Sequence, residues 1–230
     1  MRRAFFEGSL FRESFPDIAR GFLINVRIFL VAEAFILVFA LVIAVLRSLP
    51  GPAFFPVRLL AIAYTDFFRG VPTILVIYIL GFGAPALELS GVPRSTLFWG
   101  VVSLVLVYSA YVAEVYRAGI DSVHPSQEAA ARSLGLSRFK SLRFVILPQA
   151  VRRVLPPLLN DFIGLQKDSA LVALLGTVEA FRQSQIDVAG NFNYTPYLAT
   201  ALLFVLLTIP LARLTDWLIA RDQRRSRGRT

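Results

Sequence analysis

Cysteine is absent from the 230 residues, and the single histidine is His124. These shortages exclude disulfides, thiol nucleophiles, Cys-based zinc sites and any cluster of imidazole ligands. Lysine is nearly missing as well: Lys140 and Lys167 are the two, and neither follows a glycine, so the Gly-Lys-Ser/Thr element of a phosphate-binding loop is not there. ATP hydrolysis by this chain alone is therefore not expected. Acidic residues number 15 against 24 basic ones, and the formal charge of +9 comes almost entirely from arginine. No interleaving of aromatic and basic residues on a polar surface accompanies that charge, so it reads as the enrichment found at cytoplasmic membrane edges and not as a nucleic-acid surface.

What is abundant is apolar. Hydrophobic residues make up 56% of the chain and its mean hydropathy is +0.65, above the share of about half expected of a soluble domain. Lipid is the expected solvent. Five segments approach the roughly 20 residues that a helix needs to cross a bilayer: 28–46, 59–87, 97–113, 154–178 and 197–212. Three are nearly free of charge. The second carries Asp66, Arg69, Gly70 and Pro72, and the fourth carries Pro156, Pro157, Asp161, Lys167 and Asp168. Ionisable groups inside a membrane are costly and face a bundle interior or a wet cavity. The two interrupted segments are accordingly the candidates for a translocation path.

The amino terminus does not read as a cleaved signal, because its apolar run starts about 25 residues in, is as long as a span and lacks a small-x-small site. Residues 7–15, with Leu10, Phe11 and Phe15 at helical spacing, predict a short helix along the interface. Arginine and lysine accumulate in the third-to-fourth connection and in the tail, at Arg221, Arg224, Arg225, Arg227 and Arg229. Both are expected in the cytoplasm. Five crossings then put the amino terminus outside. The expected organisation is an interfacial segment over 1–20, a transmembrane domain over 21–220 containing a cytoplasmic loop at 118–150, and a basic tail at 221–230.

A set of landmarks stands in order along this frame: Phe68-Arg69-Gly70-Val71-Pro72, Ala110-Tyr111-Val112-Ala113-Glu114 with Arg117 and Gly119-Ile120, Ser133-Leu134-Gly135-Leu136-Ser137, Leu147-Pro148-Gln149-Ala150, Leu155-Pro156-Pro157 with Asn160, and Lys167-Asp168-Ser169. Together they resemble the membrane subunit of an ATP-binding-cassette importer of the polar amino acid uptake branch. The resemblance departs from the family pattern in one informative way. Counting back from Gly135 puts Ala129 where the family has glutamate, with Glu128 one position earlier. A one-residue shift is about 100° of helix rotation, so Glu128 is expected to face elsewhere. Ser126 also replaces the usual glycine before Gln127, and Ala170 the usual serine after Ser169.

The resemblance implies an all-α, polytopic fold of about five transmembrane helices with a cytoplasmic coupling-helix loop, of the type I importer permease kind. It implies a non-catalytic subunit in a prokaryotic cell membrane. The partners it implies are ATPase subunits that hold ATP and magnesium, a second permease subunit, identical or sister, and an extracellular solute-binding protein that selects the amino acid. No cofactor is expected in this chain. Its coupling contacts would fall on Gln127, Glu128, Ala129, Ala130, Arg132, Gly135, Leu136 and Pro148.

Physical reading of the same residues agrees. Gln127 to Leu134 is a run of helix formers ended by Gly135, suited to a left-handed cap, and Ser137 is placed to cap a second helix with Phe139, Leu142, Val145 and Ile146 on one side. Lys167 and Asp168 present a cation and an anion in sequence, which suits a zwitterion, or else they satisfy each other or Glu114 and Asp161 and only hold helices together. Arg69, at the Gly-x-Pro break, either lines a cavity or marks a helix end and snorkels to phosphate. Glu114 and Arg117 are spaced to pair on one helix face, as structure or as a gate. Asp161 would meet a cationic side chain, and Glu33, alone in the first span, has no assigned role. An importer of another small solute, an ion-coupled transporter and a membrane-embedded enzyme are the competing readings. The last lacks a nucleophile with its base.

Overall fold

The structure, a computed structural model, describes residues 2–227; Met1 and 228–230, with Arg229 of the predicted tail, lie outside them, as do the side chains at 2, 3, 138 and 222–227. Ten α-helices form the described chain: α1 (Arg2–Phe5), α2 (Gly8–Ser48), α3 (Phe55–Gly70), α4 (Thr73–Ala86), α5 (Thr96–Asp121), α6 (Pro125–Ser133), α7 (Arg138–Ser141), α8 (Leu147–Asp168), α9 (Ala180–Asn191) and α10 (Thr195–Arg227). No strand occurs among the described residues. The all-α expectation holds.

Helix α2 explains why lipid is the solvent. Its buried side carries Ile28, Ala32, Ile36, Ala40 and Ile43, while Leu30, Val31, Phe35, Val38, Leu41 and Val42 on the other sides are exposed. A helix apolar all round, with so large a bare apolar belt, is matched to a membrane and not to water. The small residues Ala32 and Ala40 let α5 approach, and Leu104, Val107 and Val112 of α5 are all but fully buried in the same core. Helices α2, α5 and α10 are each long and apolar enough to cross a bilayer.

The second predicted span is broken where expected. Helices α3 and α4 meet at a bend of 103°, with Val71 extended (φ −96°, ψ 132°) before Pro72. A proline cannot donate a backbone hydrogen bond and pushes the preceding residue out of helical geometry. The segment is therefore two helices of 16 and 14 residues, not one straight crossing.

Two other expectations need correction. The interfacial helix over the first residues is not a separate element: it runs without a break through Pro16 into the first span, giving one helix of 41 residues. The boundary expected at residue 20 falls inside it. The fourth segment, expected to span from Val154 to Val178, is instead α8, which starts well before the proline pair, ends at Asp168 and is not among the helices apolar enough to cross a bilayer by composition. Ser169–Leu175 follow as a 3₁₀ stretch that Gly176 closes in the left-handed conformation (φ 84°). Pro156 and Pro157 lie within α8.

A further surprise is continuity. Between α7 and α8, Leu142–Ile146 form a π-helical turn in which the Leu147 N–H donates to the Leu142 carbonyl. Pro148 has no N–H to give to Phe144, and the wider turn absorbs that missing bond. The chain from Arg138 to Asp168 is thus one helical rod.

Candidate functional site

Packing of α5 against α8 sets the geometry. A side-chain carbon added at Gly119 would lie 1.9 Å from a Val154 methyl and 3.3 Å from the Ala150 carbonyl oxygen. Only glycine permits this approach. Beside the contact lies a cleft of about 420 Å³ whose wall includes Arg69, Tyr111, Glu114, Ser122, Arg153 and Asp161. Charged side chains from α3, α5 and α8 therefore converge at one place.

Glu114 is the hub of that cluster, with its side chain 16% exposed. The Arg47 guanidinium at the end of α2 donates to one carboxylate oxygen, and Arg117 donates to the other through two nitrogens at 3.2 and 2.9 Å. Arg69 stands off at 3.7 Å. Arg47 is itself held by Thr65, 2.8 Å away, and Arg117 reaches on to Asp121 at 2.7 Å. A half-buried carboxylate with two close arginines ties the ends of α2 and α5 together. Arg69 is looser: its side chain is 43% exposed and its guanidinium lies 5.9 Å from the Tyr111 ring centre. The Arg153 guanidinium donates to the Ser122 carbonyl, tying α8 to the end of α5.

Of the residues singled out from sequence, the structure brings together Arg69, Glu114 and Asp161. Lys167 and Asp168 part company. The Tyr108 hydroxyl of α5 donates to Asp168 at 2.9 Å, while Lys167 is exposed and lines a second cleft of about 630 Å³ beside Phe181, Tyr197 and Phe204. Neighbouring residues on a helix point about 100° apart, and no ion pair joins the two side chains. Arg47, Tyr108, Tyr111 and Arg153 were not singled out as site residues. The spacing of Tyr108, Tyr111, Glu114 and Arg117, every third residue on one face of α5, was the signal available.

Three residues beyond Ser122 the polar turn begins. His124 caps α6 by accepting from the Ser126 N–H at 3.2 Å, and Pro125 occupies the first helical position, where a missing N–H costs nothing. Gly135 follows at φ +84° with nothing within 4 Å of where a side chain would start. The left-handed cap predicted for it is present, and Ser137 accepts from the Lys140 N–H at 3.4 Å as the predicted second cap. Ala129, in the position where acid was expected, is exposed, whereas Glu128 is half-buried. Gln127, Ala130, Arg132 and Pro148 are exposed, Leu136 is half-buried, and Gln127 accepts from the Gln149 amide at 3.5 Å. The apolar side of the second helix is only partly covered by the chain, with Phe139 68% and Leu142 48% exposed and Val145 and Ile146 half-buried, and Leu134 at the end of α6 is 83% exposed.

Lipid-facing helices around a charged cleft, with a polar helical turn projecting from one end, define a multi-pass membrane transport component. The model of the binding-protein-dependent transport system inner membrane component family matches residues 36–223, and the chain belongs to that family. It is 33% identical over 204 residues to a probable amino-acid permease protein, YxeN, of Bacillus subtilis, covering 88% of this chain and 90% of that one. It is 35% identical over 177 residues to a putative glutamine transport system permease protein, GlnP, of Rickettsia felis, covering 77% and 79%. Among solved structures, a crystal structure of an amino acid ABC transporter with histidines superposes with a TM-score of 0.80 at 31% identity, over 90% of this chain and 94% of that one. An inward-facing structure of the MetNI methionine ABC transporter shares the fold, with a TM-score of 0.70 at 19% identity over 89% and 95% of the two chains.

Proposed function

We propose that the chain is the transmembrane permease subunit of an ATP-binding-cassette importer that moves a polar amino acid into the cell by alternating access. Amino-acid and glutamine transport in the named relatives supports the cargo class. ATP and magnesium belong to separate ATPase subunits, and the chain itself carries out no hydrolysis. A second permease subunit completes the path, and an extracellular solute-binding protein delivers the cargo. The amino terminus lies outside and the basic tail from Arg221 in the cytoplasm, with the loop at 118–150 on the same side.

One observation carries the mechanism: the charged cleft and the projecting turn share the end of α5. Ser122 belongs to the cleft wall, and α6 starts three residues later. A partner that grips α6, Gly135 and the exposed Leu134 and Phe139 moves the foot of α8, and with it Arg153 and Asp161. Nucleotide-driven closure of the ATPase pair thereby opens or shuts the cleft. Lys167 and Asp168, about 20 Å further along the helix from Arg153, handle the cargo at the other cleft or steady the helix bundle around it.

The test is reconstitution with the ATPase and binding protein in liposomes. The twenty amino acids are screened for stimulated ATP hydrolysis, and Gly135→Val is compared with the unaltered chain. At φ +84° a branched side chain is strained by about 1–2 kcal/mol, and the expected result is ATP turnover that no longer drives uptake. Normal coupling in that variant refutes the role of the turn. Stimulation by a sugar or a metal ion, with every amino acid silent, refutes the cargo.

A further inference from the structure

The lower part of the helical rod from α7 to α8 carries a pattern that neither the charged cleft nor the polar turn uses. Lys140, Arg143, Leu147, Val151, Leu155 and Leu158 follow one another at steps of three and four, which on a helix is a single face. The step from Arg143 to Leu147 stays close to one full turn whether the backbone there is α or π. Two cations thus lie directly below a line of apolar side chains. Along that line runs a separate apolar cleft of about 280 Å³, walled by Leu41, Val45 and Ser48 of α2, Ile120 of α5 and Leu147 and Val151 of α8. Its floor is low because Ala44 of α2 and Ala150 of α8, both buried, are small. Leu41, Val45, Leu147 and Val151 are exposed at its rim, so it opens into the bare apolar belt of α2. It shares no lining residue with the charged cleft.

We propose that this cleft holds one acyl chain of an anionic phospholipid, with Arg143 and Lys140 gripping the headgroup phosphate. Length fits the occupant: Leu147 to Leu158 is about 16 Å along a helix, close to half of a hydrocarbon core of about 30 Å. Charge fits it too. Both cations are exposed, and neither has a carboxylate partner among the described residues. The Arg143 guanidinium instead lies 5.6 Å from the ring centre of Phe144, itself exposed, and a cation beside an aromatic ring suits the headgroup level. On the orientation proposed above the leaflet is the cytoplasmic one, whose anionic lipids attract lysine and arginine. Val154, which bears on Gly119, lines the same cleft. A lodged chain therefore links α2 to the stretch of the rod between its foot and that contact, whatever the cargo.

The test uses the complete transporter in phosphatidylcholine nanodiscs doped with phosphatidylglycerol that carries a diazirine midway along one acyl chain. After irradiation, labelled peptides are mapped by mass spectrometry. The expected result is label concentrated on 41–48 and 147–158, displaced by unlabelled phosphatidylglycerol about tenfold better than by phosphatidylcholine. Lys140→Gln combined with Arg143→Gln lowers that label about tenfold and erases the headgroup preference, and added salt acts in the same direction. Val151→Trp fills the cleft from an exposed position, without displacing the core. It removes the label there and spares the label on Phe35 and Val38 of the lipid-facing belt. Label spread evenly over α2, equal displacement by the two lipids, or label that survives either variant overturns the site. A cleft that stays unlabelled in the complete transporter overturns it as well, because another subunit then covers this face.

Discussion

Two of the glutamates in this apolar bundle, Glu179 and Glu114, are kept in opposite ways. Glu179, fully buried, caps α9: its carboxylate accepts the backbone N–H groups of Phe181 and Arg182 at 2.9 and 2.8 Å. Around it, Asn25 of α2 donates to Ser169 at 3.3 Å and accepts the Ala180 N–H at 3.2 Å. Glu114, by contrast, is held by long arginine side chains from α2, α3 and α5. Main-chain donors are fixed by the helix they belong to, whereas a guanidinium on a flexible stem can be exchanged. The junction of α2 with α9 is built to stay, and the end of α5 is built so that partners can change.

That contrast can be broken from either side. The largest effect is expected from Gly21→Val, because a side-chain carbon there falls 2.6 Å from backbone atoms of Glu179 and Ala180, which cannot move aside as a side chain does. Overpacking of that kind costs more than about 3 kcal/mol, and thermal unfolding in detergent followed by tryptophan fluorescence should show a drop of roughly 10 °C or failure to accumulate. Glu114→Gln comes next. It leaves Arg47, whose side chain is 11% exposed, without its charge partner, a loss of about 3 kcal/mol in buried pairs. It should also raise ATP turnover in the absence of cargo as the ends of α2 and α5 come apart; unchanged stability and turnover would make the cluster ornamental. Glu179→Gln is the smallest, since one amide oxygen still accepts from the α9 turn, and about 1 kcal/mol is expected. If the two Glu→Gln changes shift the melting curve equally, the distinction between fixed and exchangeable acids fails.

Much of this architecture could be read from the chain, for physical reasons that differ by region. Pro72 and Gly135 act locally, through a missing donor and a left-handed backbone, so the bend between α3 and α4 and the turn after α6 were legible. Helix α8 was not. Pro156 and Pro157 read as interruptions, but both lie within a helix that a π turn carries past Pro148 as well. Nothing in the sequence links Arg47 to Glu114, and only the tertiary meeting of α2 with α5 makes them partners. Lys167 and Asp168 are adjacent in the chain, which invited a shared role, while the helix sends them to separate neighbours. The glutamine-and-alanine face of α6 carried its information in a one-step offset: Ala129 faces out and Glu128 is turned partly in, so any contact made through an acid at that turn has a different angle here.

The uninterrupted run from Arg138 to Asp168 works as a pry bar. Its 31 residues span about 45 Å, and Val154, where the rod bears on Gly119, lies about 21 Å from the far tip, so tipping the rod by roughly 5° about that contact moves each end by about 2 Å. With Gly119 and Val154 as the pivot, a push at the foot would be carried to the opposite end at about equal amplitude and in the opposite direction.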